Sequence, residues 1–366
     1  MRPRLQYHFE PAKGWMNDPN GLVYFNGMYH AFFQHNPHAP VWGPMHWGHA
    51  VSKNLIDWEE LPIALYPDQV YEMREGGGGC YSGCAVVRGD VLYLIYTSVS
   101  DALGQTQSVA ASRDGIHFEK YENNPVIRRF PADGSANFRD PKITEIDGMY
   151  YMVVGSGKDG TGRILLYTSA NLLDWEYVGV LFEGKEYGSV IECPDLFALG
   201  DRYVLMFSNT ATHSAEFIVG CFDGRSFTPV TFHKPEAGPY FYAPQTFLDP
   251  SGRRILIGWL YNWKKALDKG AEYAGALTIP REVTLSPDGT LRIFPVSEAE
   301  GLLTQEDEAV EIKSQKITMH PAALNPSDSP QPLEYQGDIQ SVDILRDTKT
   351  LEVFINKGEA SFSYWL

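Results

Sequence analysis

Three acidic side chains stand in settings that could do chemistry. Asp18 lies in Trp15-Met16-Asn17-Asp18-Pro19-Asn20-Gly21, Asp140 in Asn137-Phe138-Arg139-Asp140-Pro141-Lys142, and Glu192 in Ile191-Glu192-Cys193-Pro194-Asp195. Brought together, such carboxyls would form one shared acidic site, the raw material of acid and base chemistry. Each also has a plainer explanation. Asp-Pro-Asn-Gly is what a tight reversal before a strand asks for, and Asp is favoured in turns generally. Glu is not, which makes Glu192 the least turn-like of the three.

A repeat supplies the means of bringing them together. Leu22-Val23-Tyr24-Phe25, the turn Asn26-Gly27 and Met28-Tyr29-His30-Ala31-Phe32-Phe33 read as a hairpin. The same phrase returns around Gly89-Asp90, Asp147-Gly148, Gly200-Asp201 and Asp249-Pro250-Ser251-Gly252, at intervals of 63, 58, 53 and 51 residues. A second phrase is interleaved, an acid or Asp-Gly turn followed by an aromatic: Asp57-Trp58, Asp114 to Phe118, Asp174-Trp175, Asp223 to Phe227, and Asp288-Gly289 without the aromatic. Five units of two hairpins predict an all-β fold, a five-bladed β-propeller of four-stranded blades. The leading strand of each blade lines the central channel. Asp18, Asp140 and Glu192 fall three or four residues before Leu22, Ile143 and Leu196, so units one, three and four are expected to aim a carboxyl at one mouth.

The rest of the chain bounds the reading. Its 366 residues suit one large repeat domain, placed at 1–295, and a smaller one at 296–366. A net charge of −16 argues against nucleic acid or an anionic membrane as partner. No apolar run reaches membrane-spanning length, and the start at Met1-Arg2-Pro3 lacks an apolar signal region, so a cytoplasmic location is expected. The four cysteines, Cys80, Cys84, Cys193 and Cys221, lack zinc-ribbon spacing and read as reduced structural thiols. The two imidazoles of His46-Trp47-Gly48-His49 fall on opposite faces of a strand, and neither a metal nor a cofactor is expected. Gly76 to Gly79 reads as a backbone bend, since no Lys-Ser/Thr and helix follow it. Trp42 and Trp47 flank a loop that is either core or a flat platform. Beyond Val296 a short helix or link, a polar stretch from Pro321 to Pro332 and an alternating arm at 350–359 predict a short β-rich appendage leaning on the first domain.

These motifs resemble those of glycoside hydrolase family 32, the invertases, sucrose-6-phosphate hydrolases, levanases and inulinases. The similarity runs from Tyr7 to about Pro295. It includes the Asp18, Asp140 and Glu192 motifs, Phe241-Tyr242-Ala243-Pro244-Gln245, and Gly275 to Glu282. It implies a five-bladed propeller followed by a β-sandwich, here reduced in length, and a retaining β-fructofuranosidase acting on a small-molecule sugar. By resemblance Asp18 would be the nucleophile, Glu192 the general acid/base and Asp140 the stabiliser that binds fructosyl hydroxyls. Asn17, Gln34, Trp42, Trp47, Tyr81, Ser82, Arg139, Tyr242 and Trp259 would line the pocket. Arg139 is expected to favour the charged form of neighbouring Asp140. Tyr81-Ser82-Gly83-Cys84, Glu236 and Tyr240 depart from the family pattern on the leaving-group side, where Glu236 would repel a phosphate. Unphosphorylated sucrose or a short fructo-oligosaccharide is therefore expected over sucrose 6-phosphate. A fructosyltransferase and a non-catalytic sugar-binding propeller are the competing readings, and oligomeric state is left open.

Overall fold

In the computed structural model, residues 4–265, 267, 270–319, 333–334 and 338–366 are described. The expected hairpins form, and the reason is local. Asn26 and Asp147 adopt φ of 50° and 51° with Gly27 and Gly148 following at 81° and 77°, the left-handed pair that a two-residue hairpin turn requires. Each hairpin opens an antiparallel sheet. The first contains Gly14–Phe25, Met28–Asn36, His46–Ser52 and Trp58–Leu65. The second contains Gly79–Arg88, Val91–Ser100, Gly104–Ser112 and Glu119–Lys120. The third runs Phe138–Ile146, Met149–Lys158, Thr161–Ser169 and Glu176–Gly184, and the fourth Ile191–Leu199, Arg202–Asn209, Ser214–Phe222 and Phe227–His233. The fifth is Tyr242–Leu248, Arg254–Trp259, Arg281–Leu285 and Leu291–Pro295.

Apolar residues on alternate strand positions pack each sheet on the next. Phe32, Trp47, Leu94 and Tyr96 join the first and second sheets; Ile95, Val109, Met152 and Leu165 join the second and third. Ile164, Leu166, Leu205 and Phe207 join the third and fourth, and Phe197, Met206, Leu256 and Ile293 the fourth and fifth. Met16, Phe33, Ile255 and Ile257 then bring the fifth back against the first. Burying one such Leu, Ile or Phe is worth about 1.5–3 kcal/mol. The leading strands follow the same order, each in contact with the next and the fifth with the first. Tyr273–Ala274, from the fifth segment, also pairs in parallel with Gly14 and Trp15.

After a 3₁₀ turn at Ser297–Leu302, Leu303–Thr304, Val342–Arg346, Thr350–Ile355 and Ala360–Trp365 form a further sheet. The predicted arm at 350–359 is the hairpin strand Thr350–Ile355 and its turn. The Pro321 to Pro332 stretch lies outside the described residues. No helix among the described residues is long and apolar enough to cross a membrane.

Buried charges fasten this last sheet to the chain's start and to the fifth sheet. Arg281 pairs with Glu236 at 2.8 Å and with Glu352, and donates to Ser363 Oγ at 2.7 Å. His8 lies between Asp347 at 2.8 Å and Glu352 at 2.9 Å. Burial lowers the His8 pKa, but the bonds to Asp347 and Glu352 outweigh it and raise it to about 9. In spite of burial, His8 holds Asp347, and Arg281 together with His8 holds Glu352, below the usual carboxylate range. A raised histidine contributes stability that is complete below its unfolded value of about 6.5 and is lost as pH rises through about 9. The two acids contribute above their unfolded values and lose that contribution as pH falls. Between pH 7 and 9.5 the wild-type protein is therefore expected to lose a few kcal/mol of stability. His8→Gln should start less stable and show a flatter decline, and parallel Tm profiles over that range would contradict the assignment.

Candidate active site

The three acids lie inside the leading strands, not ahead of them as the sequence suggested. What turns them inward is a β-bulge. The ladder slips between Met16 and Pro19, Cys80 and Gly83, Arg139 and Lys142, Glu192 and Asp195, and Tyr242 and Gln245. All five leading strands thus break register at a corresponding place, which bends the strand and re-aims its side chains. In three of them the residue before the proline is left-handed: Asp140 at φ 63°, Cys193 at 47° and Ala243 at 49°. Such a conformation is costly for a non-glycine residue and is held only where its surroundings fix it.

Those surroundings are hydrogen bonds from the preceding sheet. The Asp140 N–H donates to Thr97 Oγ1 at 3.0 Å, the Cys193 N–H to Asp140 Oδ2 at 2.9 Å, and the Ala243 N–H to Ser208 Oγ at 3.2 Å. Each backbone donor freed by a bulge is received next door, as a buried N–H must be. Thr97 is in turn tied to Gln107, whose amide donates to the Phe138 carbonyl at 2.9 Å.

At this ring of bulges the carboxyls converge. Ser82 Oγ donates to Asp18 Oδ2 at 2.5 Å and Asn17 Nδ2 to Asp18 Oδ1 at 3.0 Å. Asn17 is oriented by the Trp15 indole N–H at 2.7 Å. Glu192 is held at both oxygens, by Arg139 at 2.8 Å and 3.2 Å on Oε1 and by the Tyr242 hydroxyl at 2.7 Å on Oε2. Cys193 Sγ sits 3.6 Å from both Asp18 and Asp140, so the donor atoms of Asp18, Asp140 and Cys193 all lie within 4.8 Å of one another.

Burial pushes the Asp18 carboxyl up; its bonds from Ser82 and Asn17 oppose that, and the charge of Glu192 adds to it. Asp140 is raised by burial, pulled back by Arg139, then raised further by Asp18 and Glu192, to about 7. Burial and mutual repulsion thus push Asp18 and Asp140 alike toward the protonated form, and the two do not titrate independently.

The remaining expected pocket residues divide. Ser82, Asn17, Arg139 and Tyr242 bond directly to Asp18 or Glu192. Arg139 lowers Asp140 as expected, but its hydrogen-bonded ion pair is with Glu192 across the sheet boundary. Trp47 and Trp259 are fully buried, so they are core on at least one side, while Trp42 is 40% exposed. Trp47 donates to the Tyr81 carbonyl at 2.9 Å and Gln34 to the Cys80 carbonyl at 2.9 Å, bracing the bulge that carries Ser82. Tyr81 meets Trp42 edge-on at 6.1 Å. Glu236 does not belong with them. It is buried against Arg281, Ser361 and Ser363 and is a strut to the last sheet, so its charge is already matched. Sequence reading passed over Trp15, Thr97, Ser208 and the exposed Trp263, which stacks on Trp15 at 5.6 Å. Only the aromatic spacing of Trp259, Tyr261 and Trp263 hinted at the last.

A β-structured scaffold that converges three carboxyls, with donors on each, supplies the carboxylate pair that a glycoside hydrolase uses. Residues 8–295 match the family model described as the glycosyl hydrolases family 32 N-terminal domain. The chain is 38% identical over 427 residues to a sucrose-6-phosphate hydrolase of Escherichia coli, covering 98% of this chain and 88% of that protein. It is also 38% identical over 372 residues to one of Zymomonas mobilis, covering 93% and 69%. A GH32 beta-fructofuranosidase of Bombyx mori, solved as a variant in complex with sucrose, superposes with a TM-score of 0.85 at 33% identity, covering 99% of this chain and 89% of that one. The chain belongs to glycoside hydrolase family 32, whose architecture is a β-propeller.

Proposed function

We propose that this protein is a retaining β-fructofuranosidase that hydrolyses the fructosyl bond of sucrose or a short fructo-oligosaccharide. The observation that carries the reading is the division of donors: Ser82 and Asn17 on Asp18, Arg139 and Tyr242 on Glu192. Asp18, steadied by two neutral donors, attacks the anomeric carbon. Glu192 protonates the departing glycosidic oxygen and then draws a proton from the water that releases the fructosyl-enzyme. Asp140, deeper and cross-linked to the Cys193 N–H, accepts from fructosyl hydroxyls. A carboxyl separation of about 5–5.5 Å belongs to this retaining chemistry. We read the five sheets as five blades of one propeller at 1–295, with 296–366 as a separate, shortened β-unit.

Reducing-sugar release from sucrose with analysis of the products tests the activity. Glucose and fructose in equal amounts support hydrolysis, oligofructosides indicate transfer, and no turnover leaves only a binding role. Arg139 is occupied by its ion pair with Glu192, so a leaving-group phosphate has no claim on it. The kcat/KM for sucrose is accordingly expected to match or exceed that for sucrose 6-phosphate. A preference for the phosphate above about tenfold, or ~1.4 kcal/mol, would reverse that choice.

A further inference from the structure

Just past the bulges, three leading strands meet in a second knot that takes no direct part in the proposed chemistry. Asp195, fully buried, lies two residues beyond Cys193. Its Oδ2 accepts from the Thr246 N–H at 2.9 Å and from Thr246 Oγ1 at 2.9 Å, and faces Lys142 Nζ at 3.4 Å. Lys142 is itself 6% exposed and donates to the Thr246 carbonyl. One residue of the fifth sheet, Thr246, is therefore gripped from both sides, its N–H by the fourth sheet and its C=O by the third.

The position of this knot gives it meaning. Lys142, Asp195 and Thr246 follow Asp140-Pro141, Cys193-Pro194 and Ala243-Pro244. Each proline lacks an N–H and donates no ladder bond as the strand leaves the left-handed residue, and pairing resumes only at Lys142, Asp195 and Gln245. The same three strands carry Asp140, Glu192 and Tyr242. A slip of any one would separate the Tyr242 hydroxyl from Glu192, or the Asp140 carboxyl from the Cys193 N–H. A merely space-filling role at such a place is met by apolar groups, without the desolvation cost of a buried ion pair.

We infer that Asp195, through Lys142 and Thr246, is a positioning residue that locks the three bulged strands and so sets the relative placement of Asp140, Glu192 and Tyr242. This rests on the fructosidase reading above. Geometry of this kind acts on the transition state more than on ground-state binding, so its loss lowers kcat with little change in KM.

The test compares wild type, Asp18→Asn, Asp195→Asn, the charge-neutral double variant Lys142→Met/Asp195→Asn, Thr246→Val and Thr246→Ser, using sucrose and thermal unfolding. Asp195→Asn leaves Lys142 buried without its partner and can fail to fold, which is why the double variant and the Thr246 pair are included. Thr246→Val removes one hydroxyl at constant shape and leaves both charges in place. The expected result is a kcat at least tenfold lower in the double variant with KM within about threefold. Thr246→Val should show a smaller loss of kcat, and Thr246→Ser should restore it. A folded double variant with kcat within twofold of wild type, or a Thr246→Val variant that loses Tm but no kcat, would overturn the positioning role. If the wild-type protein itself does not turn over sucrose, the fructosidase reading has failed, a result distinct from normal turnover in the Asp195 and Thr246 variants of an active enzyme.

Discussion

Asp18→Asn is expected to lower kcat on sucrose by roughly four orders of magnitude, equivalent to ~5 kcal/mol of transition-state stabilisation. The substitution keeps the shape of the side chain and leaves an oxygen for Ser82 or the Asn17 amide, which sit at 2.5 Å and 3.0 Å. It removes the anion that forms the bond to the anomeric carbon. KM should change far less, because Gln34, Trp47 and the other groups around the second-sheet bulge stay in place. Fold should also persist, since Asp18 joins none of the apolar contacts between sheets. An Asp18→Asn protein retaining more than about a tenth of the wild-type rate would falsify the nucleophile assignment.

Glu192→Gln should be nearly as damaging on sucrose, by roughly three orders of magnitude, but for a different reason and with a different signature. The amide cannot give a proton to the leaving oxygen, so the loss should depend on how much help that oxygen needs. With an aryl fructoside whose phenolate leaves unassisted, the first step should proceed at a rate within about tenfold of wild type. Release of the fructosyl-enzyme should then become limiting, visible as a burst of phenolate followed by slow turnover. Equal losses on sucrose and on the aryl substrate would point to misplacement of Arg139 and Tyr242, both of which bond Glu192, and would remove the acid/base role from this residue.

Two charge partners became visible only once the sheets were in place. Arg139 is adjacent to Asp140 in sequence, yet neighbours along a strand point to opposite faces, and its guanidinium reaches Glu192 on the next sheet instead. Glu236 read as an acid on the leaving-group side because the family resemblance places its segment there. In the structure its segment runs beside the strand Ala360–Trp365, and the carboxylate is spent on Arg281, Ser361 and Ser363. The electrostatic case against a phosphate thus no longer rests on Glu236. It rests on the occupation of Arg139.

The sequence by itself determined the repeat, the hairpins and the identity of the three acids. These are local matters: Asn-Gly and Asp-Gly turns impose left-handed φ whatever surrounds them, and alternating apolar residues define which strand face is buried. Tertiary structure alone decided how the acids are presented. Four of the five bulges show in sequence only as an Asp-Pro, Cys-Pro or Ala-Pro pair, which reads as a turn, and in three of them a left-handed residue is held only because another sheet receives the freed N–H. Those receivers, Thr97 for Asp140, Asp140 for Cys193 and Ser208 for Ala243, lie 43, 53 and 35 residues away along the chain. The partners of Arg139, Glu236 and Asp195 were likewise hidden, because a buried charge takes its partner from whichever strand packs against it, and no pattern within one strand records that neighbour.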